Sequence, residues 1–78
     1  MARIRLFASA REAAGTGHGE FEGATVGEVL DAACDRYGDQ FALILGHCRV
    51  WLNGEQTARH EPVGPADEVA VLPPVSGG

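Results

Sequence analysis

Apolar and polar side chains alternate from the start of the chain. Ala2, Ile4 and Leu6 are set against Arg3 and Arg5, and the run ends in Phe7. A period of two sends successive side chains to opposite faces, so residues 2–7 are predicted to form a half-buried strand. Residues 9–14 read as a short helical or irregular turn ended by Gly15-Thr16-Gly17, and 18–22 as the return arm of a hairpin. The period then changes. Val26, Val29, Leu30, Ala33, Cys34 and Tyr37 recur at i, i+3, i+4 and i+7, the spacing of one helix face. Thr25 and Glu28 stand at capping-box spacing before that face, and Gly38 stands where a left-handed cap would end it. A helix over 26–37 is predicted.

The second half is built from shorter signals. Residues 40–45 read as a second short helix or irregular turn closed by Gly46. Residues 49–52 are strand-like, and Asn53-Gly54 directly after them is a type I′ hairpin signal, with the answering strand over 55–58. Pro62, Gly64 and Pro65 break the chain before residues 68–72, an almost wholly apolar strand suited to the middle of a sheet. Pro73-Pro74 ends it, because proline has no N–H to give a ladder. The order β-β-α-β-β, with the last strand inside, predicts an α+β fold: a mixed sheet wrapped around one main helix, the β-grasp or ubiquitin-like arrangement.

A chain of 78 residues holds one small domain, here residues 1–72, followed by a flexible tail over 73–78. A net charge of −5 repels phosphate backbones, so nucleic acid is not an expected partner. No apolar run approaches the ~20 residues of a membrane span, and the N-terminus lacks a signal-peptide core. Two cysteines, Cys34 and Cys48, are too few for a disulfide scaffold and lack metal-ligand spacing; a reducing cytoplasm is the expected compartment. All six basic residues are arginine, which removes lysine-based Schiff-base and P-loop chemistry.

Catalytic residues are hard to find. His18, His47 and His60 share no spacing, and Cys34 lies on the apolar helix face. Glu28, Asp31, Asp35 and Asp39 follow the outward face and solvate it. Neither Ser9 nor Ser76 has the G-x-S-x-G context of a hydrolase nucleophile. No metal site and no bound cofactor are expected, nor a catalytic site of the chain's own.

The chemistry is instead expected in Pro73, Pro74, Val75, Ser76, Gly77 and Gly78. Two side-chain-free residues can enter a slot too narrow for any other. Six extended residues reach roughly 20 Å, and the prolines restrict the base of the arm. The group at its far end is the α-carboxylate of Gly78. A carboxylate is a poor electrophile until its oxygen becomes a leaving group; adenylation by a partner would do that, and sulfur could then displace AMP to give a thiocarboxylate.

These residues resemble the MoaD/ThiS sulfur carriers over nearly the whole chain. The likeness is carried by Leu6-Phe7-Ala8, Arg11-Glu12 and Gly15-Thr16, by Thr25-Val26 opening the helix, and by Asp67-Glu68-Val69-Ala70 leading into the last strand. The Pro-Pro-Val-Ser-Gly-Gly ending is similar to that of the molybdopterin synthase small subunit. The resemblance implies a partner set: a ubiquitin-activating-type adenylyltransferase using ATP and Mg, a sulfur donor, and the large subunit of molybdopterin synthase, where the tail gives sulfur to precursor Z. Related carriers serve thiazole, cysteine or other products, and related folds act as protein modifiers. Phe7 and Leu72 match the family's partner-binding patch, although core packing is an equal alternative for each. Two departures stand out: Glu55-Gln56-Thr57 is polar where relatives place apolar contacts, and Pro65-Ala66 replaces a common Asp-Gly.

Overall fold

The opening alternation becomes strand β1 (Ala2–Leu6), in which Ala2, Ile4 and Leu6 are buried while Arg3 and Arg5 are exposed. The computed structural model describes residues 1–74. After β1 come α1 (Ala8–Ala14), β2 (His18–Phe21), α2 (Val26–Tyr37), α3 (Asp39–Leu45), β3 (Arg49–Leu52), β4 (Glu55–Gln56) and β5 (Glu68–Leu72). The sheet order is β2-β1-β5-β3-β4. β1 and β5 run parallel at its centre, and the other pairings are antiparallel. This is the expected β-grasp arrangement, with the last strand in the middle. Ile4, Leu6, Val69 and Val71 of the central pair join Val26, Val29, Leu30 and Ala33 of α2, Ala10 of α1 and Phe41 of α3 in one apolar cluster.

The boundaries differ from the pattern in instructive ways. Phe7 leaves the strand: it is the N-cap residue of α1, although its N–H still bonds to the Val71 carbonyl at 3.2 Å. β2 stops at Phe21 rather than Glu22. β4 has two residues instead of four, and only the Thr57 N–H, bonded to the Val50 carbonyl, prolongs its pairing. Residues 40–45, open between helix and turn, are helical, and the helix starts one residue earlier at Asp39. The capping box closes one residue early. Thr25 Oγ1 accepts from the Glu28 N–H at 3.2 Å, but Glu28 Oε1 accepts from the Ala24 N–H at 3.0 Å. Gly38 has positive φ as expected, yet its ψ of −175° lies outside the left-handed helical well, in a region essentially reserved for glycine. That conformation lets one residue end α2 and begin α3.

A second glycine makes room for the aromatic cluster. A Cβ on Gly19 would stand 2.5 Å from the Tyr37 hydroxyl oxygen, so β2 must be bare there. Tyr37 then sits edge-on to both Phe21 and Phe41, with ring centroids 5.6 and 5.2 Å apart.

The Asn53-Gly54 turn does more than reverse the chain. Both residues have positive φ, as a type I′ turn requires. Asn53 Nδ2 donates to Asp67 Oδ1 at 3.0 Å, Asn53 Oδ1 accepts from the Glu68 N–H at 2.9 Å, and the Gly64 N–H donates to Asp67 Oδ2 at 2.8 Å. The hairpin is thus stapled to the head of β5. The hydrogen bonds from Asn53 and Gly64 hold the Asp67 carboxyl below the ordinary carboxylate range. A carboxyl whose folded pKa is depressed stabilises the fold above its unfolded value, and that contribution is lost as pH falls through the folded one. The stability gap between wild type and Asp67→Asn is therefore expected to be open near neutrality and to close on acidification below about pH 4. Thermal unfolding midpoints of both proteins across that range check this.

Candidate functional site

Strand parity defines two sheet faces. Ala2, Ile4 and Leu6 of β1 and Val69 and Val71 of β5 are buried with the helices. Arg3 and Arg5, Glu68, Ala70 and Leu72, and Arg49 and Trp51 of β3 therefore look out from the opposite face. The register aligns them in rows: His18, Arg5, Ala70, Trp51 and Gln56 lie side by side across all five strands. One row nearer the end of β5, Leu72 pairs with Arg49.

Phe7 and Leu72 can now be assigned. Phe7 is 39% exposed, which removes it from the core, and the Arg5 guanidinium lies 5.7 Å from its ring centroid, a cation–π distance. Leu72 is half-buried, on the open face rather than among the helices. Both stand where β5 ends and the chain passes into half-buried Pro73 and exposed Pro74. Val75, Ser76, Gly77 and Gly78 lie outside the described residues. The sequence alone did not bring Trp51, Ala70 and Arg5 together, although alternation placed Arg5 on this side.

The remaining candidates form no second site among the described residues. His18 begins β2, whereas His47 and His60 are exposed in connections. No group of three or more His, Cys, Asp or Glu could hold a metal ion there. Cys34 and Cys48 are free, half-buried thiols. Burial raises the pKa of both, and the Asp31 carboxylate adds to the effect at Cys34, so neither thiol is poised as a thiolate nucleophile. Asp31 itself pairs with Arg59 at 2.6 Å on the helix side. No helix of the described residues is long and apolar enough to cross a membrane.

Comparison with known proteins matches this arrangement. The chain is 38% identical to small archaeal modifier protein 1 of Haloferax volcanii over 95% of its own length and 97% of the relative's. The solution structure of small archaeal modifier protein 1 from Methanosarcina acetivorans superposes with a TM-score of 0.87 at 30% identity, covering 99% of this chain and 95% of that one. A Pyrococcus furiosus structure described as a putative molybdopterin converting factor, subunit 1, gives 0.83 at 25% identity, over 95% and 97% of the two chains. The ThiS family model matches residues 4–78, so it runs through both the central strand pair and the Gly-Gly ending. A five-stranded β-grasp sheet with this span of agreement leaves one assignment: the chain belongs to the ThiS family of ubiquitin-like sulfur carriers.

Proposed function

We propose that this chain carries sulfur as a thiocarboxylate on Gly78 and delivers it in molybdopterin synthesis. The Gly78 carboxylate attacks the α-phosphate of ATP, held with Mg on a ubiquitin-activating-type adenylyltransferase, and pyrophosphate leaves. Sulfide-level sulfur handed over by the sulfur donor then displaces AMP: a C–S bond forms as the bond to the phosphate oxygen breaks, and the thiocarboxylate remains on Gly78. Residues 1–72 are the docking body and residues 73–78 the arm, which enters the large subunit of molybdopterin synthase to give its sulfur to precursor Z. Pro73 and Pro74 stiffen the base of the arm, Val75 and Ser76 extend it, and Gly77 lets it through a narrow slot. Phe7 and Leu72 form the apolar contact beside its root. ATP and Mg belong to the partner; this chain binds no cofactor. A reducing cytoplasm suits Cys34 and Cys48 as free thiols.

One observation carries this reading. The strand that feeds the arm is the middle one of five, directly beside the outward-facing Phe7 and Leu72, so a partner that grips the arm also meets the open sheet face. A second reading, a ubiquitin-like modifier joined through Gly78 to lysines of other proteins, is favoured by the name of the Haloferax relative. Without a lysine, this chain cannot build lysine-linked polymers on itself.

Intact mass spectrometry of the protein from its native host tests the proposal. Replacement of oxygen by sulfur adds about 16 Da, expected at Gly78, with a molybdopterin synthase large subunit co-purifying. Isopeptide adducts without the added mass would transfer the assignment to the modifier reading.

A further inference from the structure

The rim of the sheet where β1 runs into α1 holds a cleft of about 900 Å³, and its charge runs against that of the whole chain. Arg5, Arg11 and His18 line it, Glu12 is its one carboxylate, and Phe7 forms its wall toward the open face. The protein carries 11 acidic residues against six basic ones, yet two arginines meet here. Neither is committed elsewhere: among the described residues the one ion pair is Arg59 with Asp31, and neither Arg5 nor Arg11 donates a side-chain hydrogen bond. Both guanidinium groups nonetheless rest against the fold. That of Arg5 lies over the Phe7 ring, and that of Arg11 runs so close to Gly17 that a Cβ there would stand 3.4 Å from its Nε. Each keeps a planar fork of donors free for a carboxylate.

We propose that this cleft receives a carboxylate-bearing loop of the ubiquitin-activating-type adenylyltransferase that charges the tail. The proposal rests on the carrier reading above and adds to it the chemistry of the partner. Phe7 is shared by the cleft and the apolar contact beside Leu72, so a partner seated on one reaches the other. A protein loop fits better than a free small anion. The cleft is open to solvent, and the Thr16 hydroxyl is spent within its own turn, bonded to the His18 backbone. A single small anion would stay hydrated there, whereas a chain segment carrying several carboxylates engages both arginines and lies against Phe7 at once. The carboxylates on the sheet's outer face lie at the far end of the strands, where Glu20 and Glu68 stand in register with Arg3. An acidic partner is therefore steered to the end where the tail leaves.

Two measurements test this. Binding of the host's ubiquitin-activating-type enzyme to the full chain is compared for wild type, Arg11→Gln and the control Arg36→Gln, at low and high salt. Arg11→Gln keeps its stem over Gly17 and is expected to weaken low-salt binding about tenfold, with the difference shrinking at high salt; Arg36→Gln is expected to stay within about twofold. Equal losses in the two variants, or none in either, would overturn the proposal. Independently, a hexa-aspartate peptide is titrated into the labelled chain and followed by amide NMR. Shifts confined to Arg5, Phe7, Arg11, Thr16, Gly17 and His18 are expected, and shifts that are scattered or missing refute the cleft. If the enzyme fails to bind wild type at all, the carrier reading falls, and the peptide titration still judges the cleft.

Discussion

Removal of Gly78 is expected to cut sulfur transfer by at least about 100-fold in a reconstituted system, because a carboxylate then ends the chain one residue short. An extended residue spans about 3.3 Å, so the new terminus at Gly77 stops that far from where adenylation takes place. Misplacing a reacting atom by about 1 Å already costs about two orders of magnitude. The fold should not register the loss. Its apolar cluster is built from residues between Ala2 and Val71, and truncation past the last strand removes none of them. The thermal midpoint is expected to stay within about 2 °C of wild type. Thiocarboxylate formation followed by mass, beside a melting curve, separates the outcomes. Undiminished transfer would remove Gly78 from the chemistry, and a lowered midpoint would make it part of the fold.

How much of this was legible in the sequence depended on whether a signal was local. The alternation through β1, the Thr25 cap of α2 and the Asn53-Gly54 turn each come from residues within a few positions, and all three formed as expected. Strand ends were less readable, because they depend on how far a neighbour extends. β4 stops after Gln56, and no property of Thr57 or Ala58 announces it. Residues 40–45 were ambiguous for a different reason: six residues holding Phe41, Leu43, Ile44 and Leu45 fit a helix face and a buried turn equally well. Only tertiary packing decides a helix that short.

The site was legible to the same degree. Phe7 directly follows β1, whose even positions point inward, and its backbone is still extended, so its outward position continues the parity. Leu72 had no such signal, because every residue of β5 after Glu68 is apolar and the alternation vanishes from the sequence. The Arg5–Arg11 cleft was invisible, since it exists only after the turn at Gly15 brings Gly17 back beside β1.

Phe41→Ala tests the least predictable element, and its expected effect is large. Phe41 is fully buried and touches Tyr37 edge-on, while Leu43, two residues further along α3, is 70% exposed. Cutting a buried Phe to Ala costs about 3–5 kcal/mol through lost burial and the cavity left behind. At roughly 0.05–0.15 kcal/mol per residue, a domain of this size holds about 4–12 kcal/mol in all. The variant is therefore expected to unfold at least about 12 °C below wild type, and to populate unfolded chain at growth temperature if wild type lies low in that range. Leu43→Ala should move the midpoint by no more than a few degrees, because most of its surface already faces water. Seven residues cannot sustain a helix by propensity, so α3 should melt together with the sheet, giving one transition by far-UV circular dichroism and by Trp51 fluorescence. Equal effects from the two substitutions would mean that α3 is not seated on the core, and the edge contacts among Phe21, Tyr37 and Phe41 could not then be what holds it.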